Sequence, residues 1–153
     1  MRAVVQRVVK ASVDIIEGGK QHTNGSIGVG LVVLLGVEKE DTEKDAEYMA
    51  DKIAGLRIFE DNEGKMNLSV KDVGGRILAI SQFTLLGDVR KGKRPGFTDA
   101  EEPGRANELY EKYIMYTEEN DIKVEEGIFR TEMLVKIENN GPVTILIDSK
   151  KRF

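Results

Sequence analysis

The apolar residues of the N-terminal part of the chain follow the pattern of β-strands. Val and Ile are frequent in Ala3–Val9 and Ala11–Ile16, which predict one long strand or two, with a bulge near Lys10. The pair Gly18-Gly19 then signals a turn. Gly30–Val37 is almost wholly apolar, as expected for a strand that is covered on both faces.

Further apolar runs predict the later strands. Ile77–Leu86 is expected to be a third strong strand. Met133–Ile137 and Val143–Ile147 are expected to form a closing pair of strands, joined to each other through Asn139–Pro142. The chain would therefore end in a hairpin.

Two segments carry apolar residues at helical spacing. In Asp41–Gly55, Asp41 or Thr42 is expected to cap the first turn and Gly55 to end the helix. In Pro103–Asn120, the proline suits the first helical turn. Strands outnumber helices, so the predicted fold class is α/β: mixed sheets packed on each other, with helices on one side, in three α/β/β layers. No repeat or linker divides the chain, which predicts a single domain over residues 1–153.

Composition narrows the class of protein. Hydrophobic residues make up 40% of the chain and charged residues 33%, an ordinary globular balance. No apolar run approaches the roughly 20 residues that a membrane helix needs. Arg2 and Arg7 place charge inside the N-terminal apolar segment, unlike a secretory signal. We therefore expect a soluble cytoplasmic protein that does not bind a membrane.

The residue types also argue against several chemistries. The chain has no cysteine and a single histidine, His22, in a polar and turn-like stretch. So few ligands do not favour a catalytic zinc, and a Ser-His-Asp triad would require the His22 loop to fold over the site. No P-loop motif is present. We expect neither a metal nor a cofactor.

The first candidate for a site is Ser81-Gln82-Phe83-Thr84-Leu85, at the end of a predicted strand. Its hydroxyl groups and its amide could bind a ligand, with Phe83 as an apolar wall. The same residues also fit an ordinary strand end, where Ser and Thr bond to neighbouring backbone. The spacing alone leaves both interpretations open.

The second candidate is the loop Asp88–Phe97, with four cations within five residues: Arg90, Lys91, Lys93 and Arg94. An irregular basic loop can follow phosphates, and Phe97 can stack on a base. A solvated charged loop has the same composition. The net charge of −4 argues against broad binding to nucleic acid, but not against a local basic site.

The third candidate is Asn139–Thr144. A tight turn between two strands fits its composition. The alternative is that Gly141-Pro142 is held rigidly as a steric gate, with the cis bond that only X-Pro pairs adopt readily.

Five runs of the sequence, in order and with matching spacing, resemble the bacterial-type D-aminoacyl-tRNA deacylase family over essentially the whole chain. They are Met1–Val8, Asp51–Phe59, Gly64–Val70, Ser81–Leu85 and Asn140–Thr144. The resemblance implies a proofreading hydrolase that cleaves the ester of D-aminoacyl-tRNA, and of glycyl-tRNA. It also implies a homodimer in which Ser81–Leu85 of one subunit meets Gly141-Pro142 of the other.

The resemblance also implies roles for further residues of the site. It implies that Phe129 and Met133 line the pocket, that Ala106 lies beside the terminal adenosine of the tRNA, and that Arg7 holds the gate in orientation. One departure concerns the usual Phe-Gly-Ala-x-Met run, because Arg130 and Thr131 occupy its Gly-Ala positions here. We expect the departure to affect the pocket and substrate preference, not the reaction.

Two mechanisms could hydrolyse such an ester. The Thr84 hydroxyl could be a nucleophile, but it lacks an obvious base. Alternatively, the backbone N–H groups of Phe83 and Thr84 stabilise the oxyanion while the 2′-hydroxyl of the tRNA helps to activate water. The scarcity of acid–base groups favours the second. Two other classes of function stay open: a non-catalytic nucleic-acid-binding module and a small-molecule esterase that needs no tRNA.

Overall fold

The computed structural model describes every residue from Met1 to Phe153. The strands are β1 (Arg2–Glu17), β2 (Lys20–Ile27), β3 (Gly30–Gly36), β4 (Phe59–Glu60), β5 (Met66–Leu68), β6 (Arg76–Ser81), β7 (Val124–Glu126) and β8 (Glu132–Asp148). The helices are α1 (Glu43–Ala54), α2 (Pro103–Glu119) and a short 3₁₀ helix (Phe83–Leu86). No helix combines the length and apolar content needed to cross a membrane.

β1 organises the main sheet. It pairs antiparallel with β2, β3 and β8, and β3 continues the sheet through parallel pairing with β6, which pairs in parallel with β7. The small strands β4 and β5 form a separate two-stranded sheet. The main sheet curls into a near-barrel, so that Asn24 of β2 donates a hydrogen bond to the carbonyl oxygen of Glu126 of β7 (2.7 Å). The predicted mixed α/β class is confirmed.

The central strands are buried on both faces, which explains their unbroken apolar sequence. On β3, Leu31 and Val33 belong to one core cluster with the buried residues of both α-helices. Val32 lies on the opposite face, in a second cluster with Leu78 and Ile80 of β6. Successive residues of a strand point to opposite faces, so β3 and β6 separate the two clusters.

The predicted helices are present with nearly the predicted ends. Thr42 is the N-cap of α1, and its N–H donates to the carboxylate of Asp45 (2.8 Å), which satisfies an amide at the helix start. Gly55 is the C-cap of α1. α2 begins at Pro103 as predicted and ends at Glu119.

The prediction of a single strand over Ile77–Leu86 is wrong in its second half. β6 ends at Ser81, which pairs with Leu35, and the 3₁₀ helix follows. This helix turns over Gly36 at the end of β3, where an added Cβ would lie 2.5 Å from Cδ2 of Leu86. The missing side chain at Gly36 provides the space, a tertiary effect that the apolar run of β6 does not signal.

The predicted closing hairpin is also wrong. Met133–Ile137 and Val143–Ile147 are the two halves of the continuous strand β8, and both pair with β1 rather than with each other. The ladder is irregular between Gln6 and Lys10 of β1, opposite Asn139–Pro142, which therefore interrupts a straight strand instead of reversing it. A 16-residue β1 provides both halves with a partner.

The turn-like stretch predicted around His22 is also a strand. His22 lies in β2, with its side chain exposed.

Candidate functional site

A cavity of about 400 Å³ opens beside the carboxyl end of β6. Ser81, Gln82 and Phe83 contribute to its wall from the end of β6, and Ala106 contributes from α2. Phe129 precedes β8 and Met133 lies in it; both complete the lining. Arg130 and Thr131 lie between them in sequence and line the cavity as well, so eight residues singled out from the sequence meet at one cavity.

Thr84 and Leu85 do not line this cavity. The hydrogen bonds of their 3₁₀ helix run from Leu85 N to Gln82 O (3.3 Å) and from Gly87 N to Thr84 O (3.0 Å). Leu85 is the first residue of this helix whose N–H donates within it. The N–H groups of Phe83 and Thr84 therefore have no partner in the helix, as is usual for the first amides of a helix. The Thr84 hydroxyl accepts a hydrogen bond from Nε2 of Gln82.

Two side chains of the cavity are held by aromatic contacts. Phe83 is 57% exposed, and its ring meets Phe97 edge to face with the centroids 5.1 Å apart. Phe129 packs against Tyr110 at 6.5 Å, and the Tyr110 hydroxyl donates to Ala79 O (2.9 Å). Burial raises the pKa of Tyr110 well above its usual value, so this hydroxyl stays neutral.

The basic loop, Asp88–Phe97, ends at Phe97, the aromatic partner of Phe83. Two backbone hydrogen bonds between Asp88 and Gly96, of 2.7 and 2.9 Å, close the loop. Arg90 donates to both carboxylate oxygens of Asp88 at 2.8 Å, and these hydrogen bonds lower the pKa of Asp88 to about 2. The other predicted phosphate-binding residues are all exposed: Lys91, Lys93 and Arg94.

The Gly141-Pro142 bond is cis, the conformation that the gate interpretation requires, and both residues are exposed. Neither lines the cavity of the same chain. Arg7 is buried beside this segment; its Nε donates to Asn140 O (3.3 Å) and its Nη1 to Ile58 O (2.7 Å). Gly141 has a φ of 118°, and an added Cβ would lie 2.9 Å from Nη2 of Arg7, so the backbone and the space both favour glycine.

Ionisable groups are scarce in the cavity. Only Glu101 and Arg130 among its lining residues carry a charge, and the carboxylate of Glu101 accepts the N–H of Glu102 (2.8 Å). His22 does not line the cavity. The chain holds no group of three or more His, Asp or Glu side chains arranged to bind a metal ion.

Several lining residues were missed from the sequence: Val37, Ile80, Ala100, Glu101, Pro103 and Val135. The segment before α2 reaches the cavity through isolated backbone bonds, from Lys39 N to Asp99 O (2.9 Å) and from Glu101 N to Val37 O (3.0 Å). Such single pairings have no periodic signal in the sequence, which is why this wall was not predicted.

Comparison with known proteins gives concordant results. The family model described as D-Tyr-tRNA(Tyr) deacylase matches residues 4–148. Proteins named D-aminoacyl-tRNA deacylase from Thermotoga petrophila and Koribacter versatilis are 56% and 58% identical over 153 residues, which cover 100% of each chain.

Two solved structures share the fold. One, described as a c-Myc DNA unwinding element binding protein, is 42% identical, with a TM-score of 0.86 over 97% of this chain and 98% of its own. The other, described as a probable eukaryotic D-amino acid tRNA deacylase, has a TM-score of 0.74 over 95% and 97% of the two chains. Because its identity is 17%, it supports the fold alone.

Proposed function

We propose, from the premise that this chain belongs to the D-Tyr-tRNA(Tyr) deacylase family, that its cavity binds the aminoacyl end of tRNA for chiral proofreading. The enzyme is a D-aminoacyl-tRNA deacylase, a hydrolase of the ester bond. The observation that carries the assignment of the site is the convergence of Ser81–Phe83, Ala106, Phe129 and Met133 on one cavity.

The proposed mechanism uses backbone donors and the substrate's own hydroxyl. Phe83 lines the cavity, and its N–H and the adjacent N–H of Thr84 have no partner within their 3₁₀ helix, so the pair is proposed to bind the oxyanion of the tetrahedral intermediate at the edge of the cavity. The 2′-hydroxyl of the terminal ribose assists the attacking water. The lack of a histidine in the cavity, and the hydrogen bond that joins the Thr84 hydroxyl to the Gln82 amide rather than to a base, favour this route over a Thr84 nucleophile.

The Gly-Pro gate (Gly141-Pro142) is proposed to act on the cavity of a second copy. The gate is exposed and takes no part in its own cavity, while buried Arg7 holds the preceding carbonyl. Residues at alternate positions along β8 share a face, so Pro142 shares one with Leu146, which is 60% exposed. This face fits an isologous contact in a C2 dimer, which would supply two gates and two cavities.

The gate would read chirality by exclusion. A rigid gate that captures the substrate's amino group leaves no space for an L side chain, whereas a hydrogen or a D side chain does not collide with it. We therefore propose that glycyl-tRNA is also a substrate.

The fold that carries this site is proposed to be a single domain over residues 1–153 with three α/β/β layers. The two core clusters would fill the two interfaces between these layers.

The basic loop is proposed to bind tRNA phosphates. Lys91, Lys93 and Arg94 project from a loop that is closed next to the Phe83–Phe97 pair, so phosphate contacts would lie close to the cavity. Arg90 is bonded to Asp88 and would shape the loop while still presenting positive charge. We propose that the enzyme meets this substrate in the cytoplasm and acts without a membrane partner or a cofactor.

The proposed function is tested by release of amino acid from D-Tyr-tRNA, L-Tyr-tRNA, Gly-tRNA and D-Tyr methyl ester under the same conditions. We expect rapid release from D-Tyr-tRNA and Gly-tRNA, and little from L-Tyr-tRNA or the simple ester. Comparable cleavage of the methyl ester would assign the protein to small-molecule esterases. No release from any tRNA would contradict the deacylase assignment.

A second candidate is a non-catalytic nucleic-acid-binding module. It is favoured by the name of the 42% identical structure, a c-Myc DNA unwinding element binding protein. The basic loop is the surface that would serve it, although the net charge of −4 does not favour broad binding. Salt-sensitive binding of duplex DNA, with no release of amino acid from D-Tyr-tRNA, would support this candidate over the deacylase.

A further inference from the structure

A residue in an unfavourable backbone conformation lies at the edge of the cavity. Ile128–Thr131 is a turn, closed by hydrogen bonds to Ile128 O from the N–H (3.3 Å) and the hydroxyl (2.8 Å) of Thr131. Arg130, the third residue of this turn, has a φ of 61°. Turns with a positive φ at this position favour glycine, since any residue with a Cβ is strained there.

The side chain of Arg130 has no partner that explains the strain. The polar contacts of its turn are made by Thr131, and the guanidinium joins none of the ion pairs of the chain. It is nevertheless the one cation that lines the cavity. Three other non-glycine residues, Glu40, Asp121 and Lys151, also have a positive φ, but only Arg130 lines the cavity. The position of its free guanidinium at the cavity therefore carries more weight than the backbone conformation alone.

We propose that Arg130 binds an oxyanion of the substrate at the edge of the cavity. The inference rests on the proposed deacylase function and adds a binding residue to its site. A planar guanidinium binds phosphate and carboxylate in the same bidentate geometry. The oxyanion therefore comes from one of two sources in the bound substrate: a phosphate near the 3′ end of the tRNA, or the side-chain carboxylate of an acidic D-amino acid.

The test compares wild type with Arg130→Gln and Arg130→Gly on D-Asp-tRNA, D-Asn-tRNA and D-Tyr-tRNA, with kcat and KM measured separately. If the partner is a phosphate, both variants raise KM about tenfold for all three substrates, and they lower the dependence of log KM on log salt by about one ion. If the partner is the amino-acid carboxylate, kcat/KM falls about tenfold for D-Asp-tRNA alone. D-Asn-tRNA is the neutral control of similar shape.

Arg130→Gly separates binding from folding. Glycine adopts a positive φ without strain. The melting temperature of the Arg130→Gly protein should therefore equal or exceed that of wild type, while its affinity for substrate falls. Arg76→Gln, an exposed substitution on β6 away from the cavity, is the charge-matched control and should leave KM unchanged.

Values of kcat/KM within twofold of wild type for all three substrates in both Arg130 variants would overturn the proposal. A change in oligomeric state would also overturn it, by assigning Arg130 to a subunit contact. Failure of the underlying function looks different, because wild type itself would then release no amino acid from any of the three tRNAs.

Discussion

The buried guanidinium of Arg7 is hydrogen-bonded through Nε to the carbonyl oxygen of Asn140, at 3.3 Å. This contact joins β1 to β8 across 133 residues of sequence, next to the exposed Gly-Pro gate. A second bond of Arg7, from Nη1 to Ile58 O (2.7 Å), also holds the guanidinium in place. The carbonyl that precedes the gate is therefore held by a side chain from a distant strand, while Nδ2 of Asn139 donates to Val143 O (3.0 Å) across the same segment.

Replacing Arg7 with alanine should loosen chiral selection before it abolishes catalysis. We expect Arg7→Ala to cleave L-Tyr-tRNA at a rate on the order of tenfold above wild type, because loss of a hydrogen bond of about 1–3 kcal/mol lets the gate move. D-Tyr-tRNA should still be cleaved. Parallel rates on the two tRNAs measure the effect, and Arg7→Lys keeps the charge as a control. Unchanged rejection of the L substrate by a folded Arg7→Ala protein would disprove the bracing role.

Thr84→Ala should retain substantial deacylase activity. The backbone N–H of residue 84 is kept, and only a hydroxyl bonded to Gln82 is lost. We expect kcat to fall by less than about tenfold, whereas removal of a true nucleophile costs several orders of magnitude. Single-turnover release from D-Tyr-tRNA checks this. A fall of kcat to background in a folded variant would restore the covalent mechanism.

Placing charge on the exposed face of β8 should separate the subunits. Leu146→Arg would bury an unpaired cation in the proposed contact, which typically costs several kcal/mol. We expect sedimentation to change from dimer to monomer, with loss of activity and retention of fold by circular dichroism. Lys136→Arg, a charge-conserving change further along β8, is the matched control. A monomeric Leu146→Arg protein that keeps full activity would refute the need for a second copy.

Glu38 should stabilise the fold at neutral pH and lose that effect in acid. Arg152, which donates to Glu38 at 2.9 Å, and then Lys150 hold the pKa of Glu38 at about 2, below its ordinary value of 4.5. The stabilisation is complete above pH 4.5 and disappears as the pH falls toward 2. We expect Glu38→Gln to lower the free energy of unfolding by about 2 kcal/mol at pH 7.

Urea unfolding of wild type and Glu38→Gln from pH 7 to pH 2 measures this difference. The two proteins should converge at the acid end, while Glu119→Gln, on the exposed end of α2, should follow wild type throughout. A difference between wild type and Glu38→Gln that stays constant across the range would show that the ion pair is not its cause.

The sequence predicted the elements whose signal is local. The N-cap at Thr42 and the start of α2 at Pro103 depend on neighbouring residues, and both were located correctly. Two of the errors arose where distant residues decide the structure. Gly36 lets the chain turn at Ser81, and the length of β1 keeps both halves of β8 in one strand.

The residues of the site also differ in how far the sequence could predict them. Phe129 and Met133 were identified through the resemblance, whereas Glu101 reaches the cavity through a backbone bond to Val37 that no pattern signals. Arg130 stood out in the sequence only as a departure from the usual glycine. Its positive φ supplies the physical reason why glycine suits that position.

The central claim, that the gate of one subunit acts on the cavity of the other, is tested most directly by a heterodimer. One chain carries Ala106→Trp, which fills its cavity, and the other carries Pro142→Ala, which impairs its gate; two affinity tags isolate the mixed species. The only open cavity then belongs to the chain with the impaired gate. We predict about half of the wild-type D-Tyr-tRNA activity and wild-type rejection of L-Tyr-tRNA, since the intact gate comes from the partner. Cleavage of L-Tyr-tRNA by the heterodimer, as by the Pro142→Ala homodimer, would contradict the account.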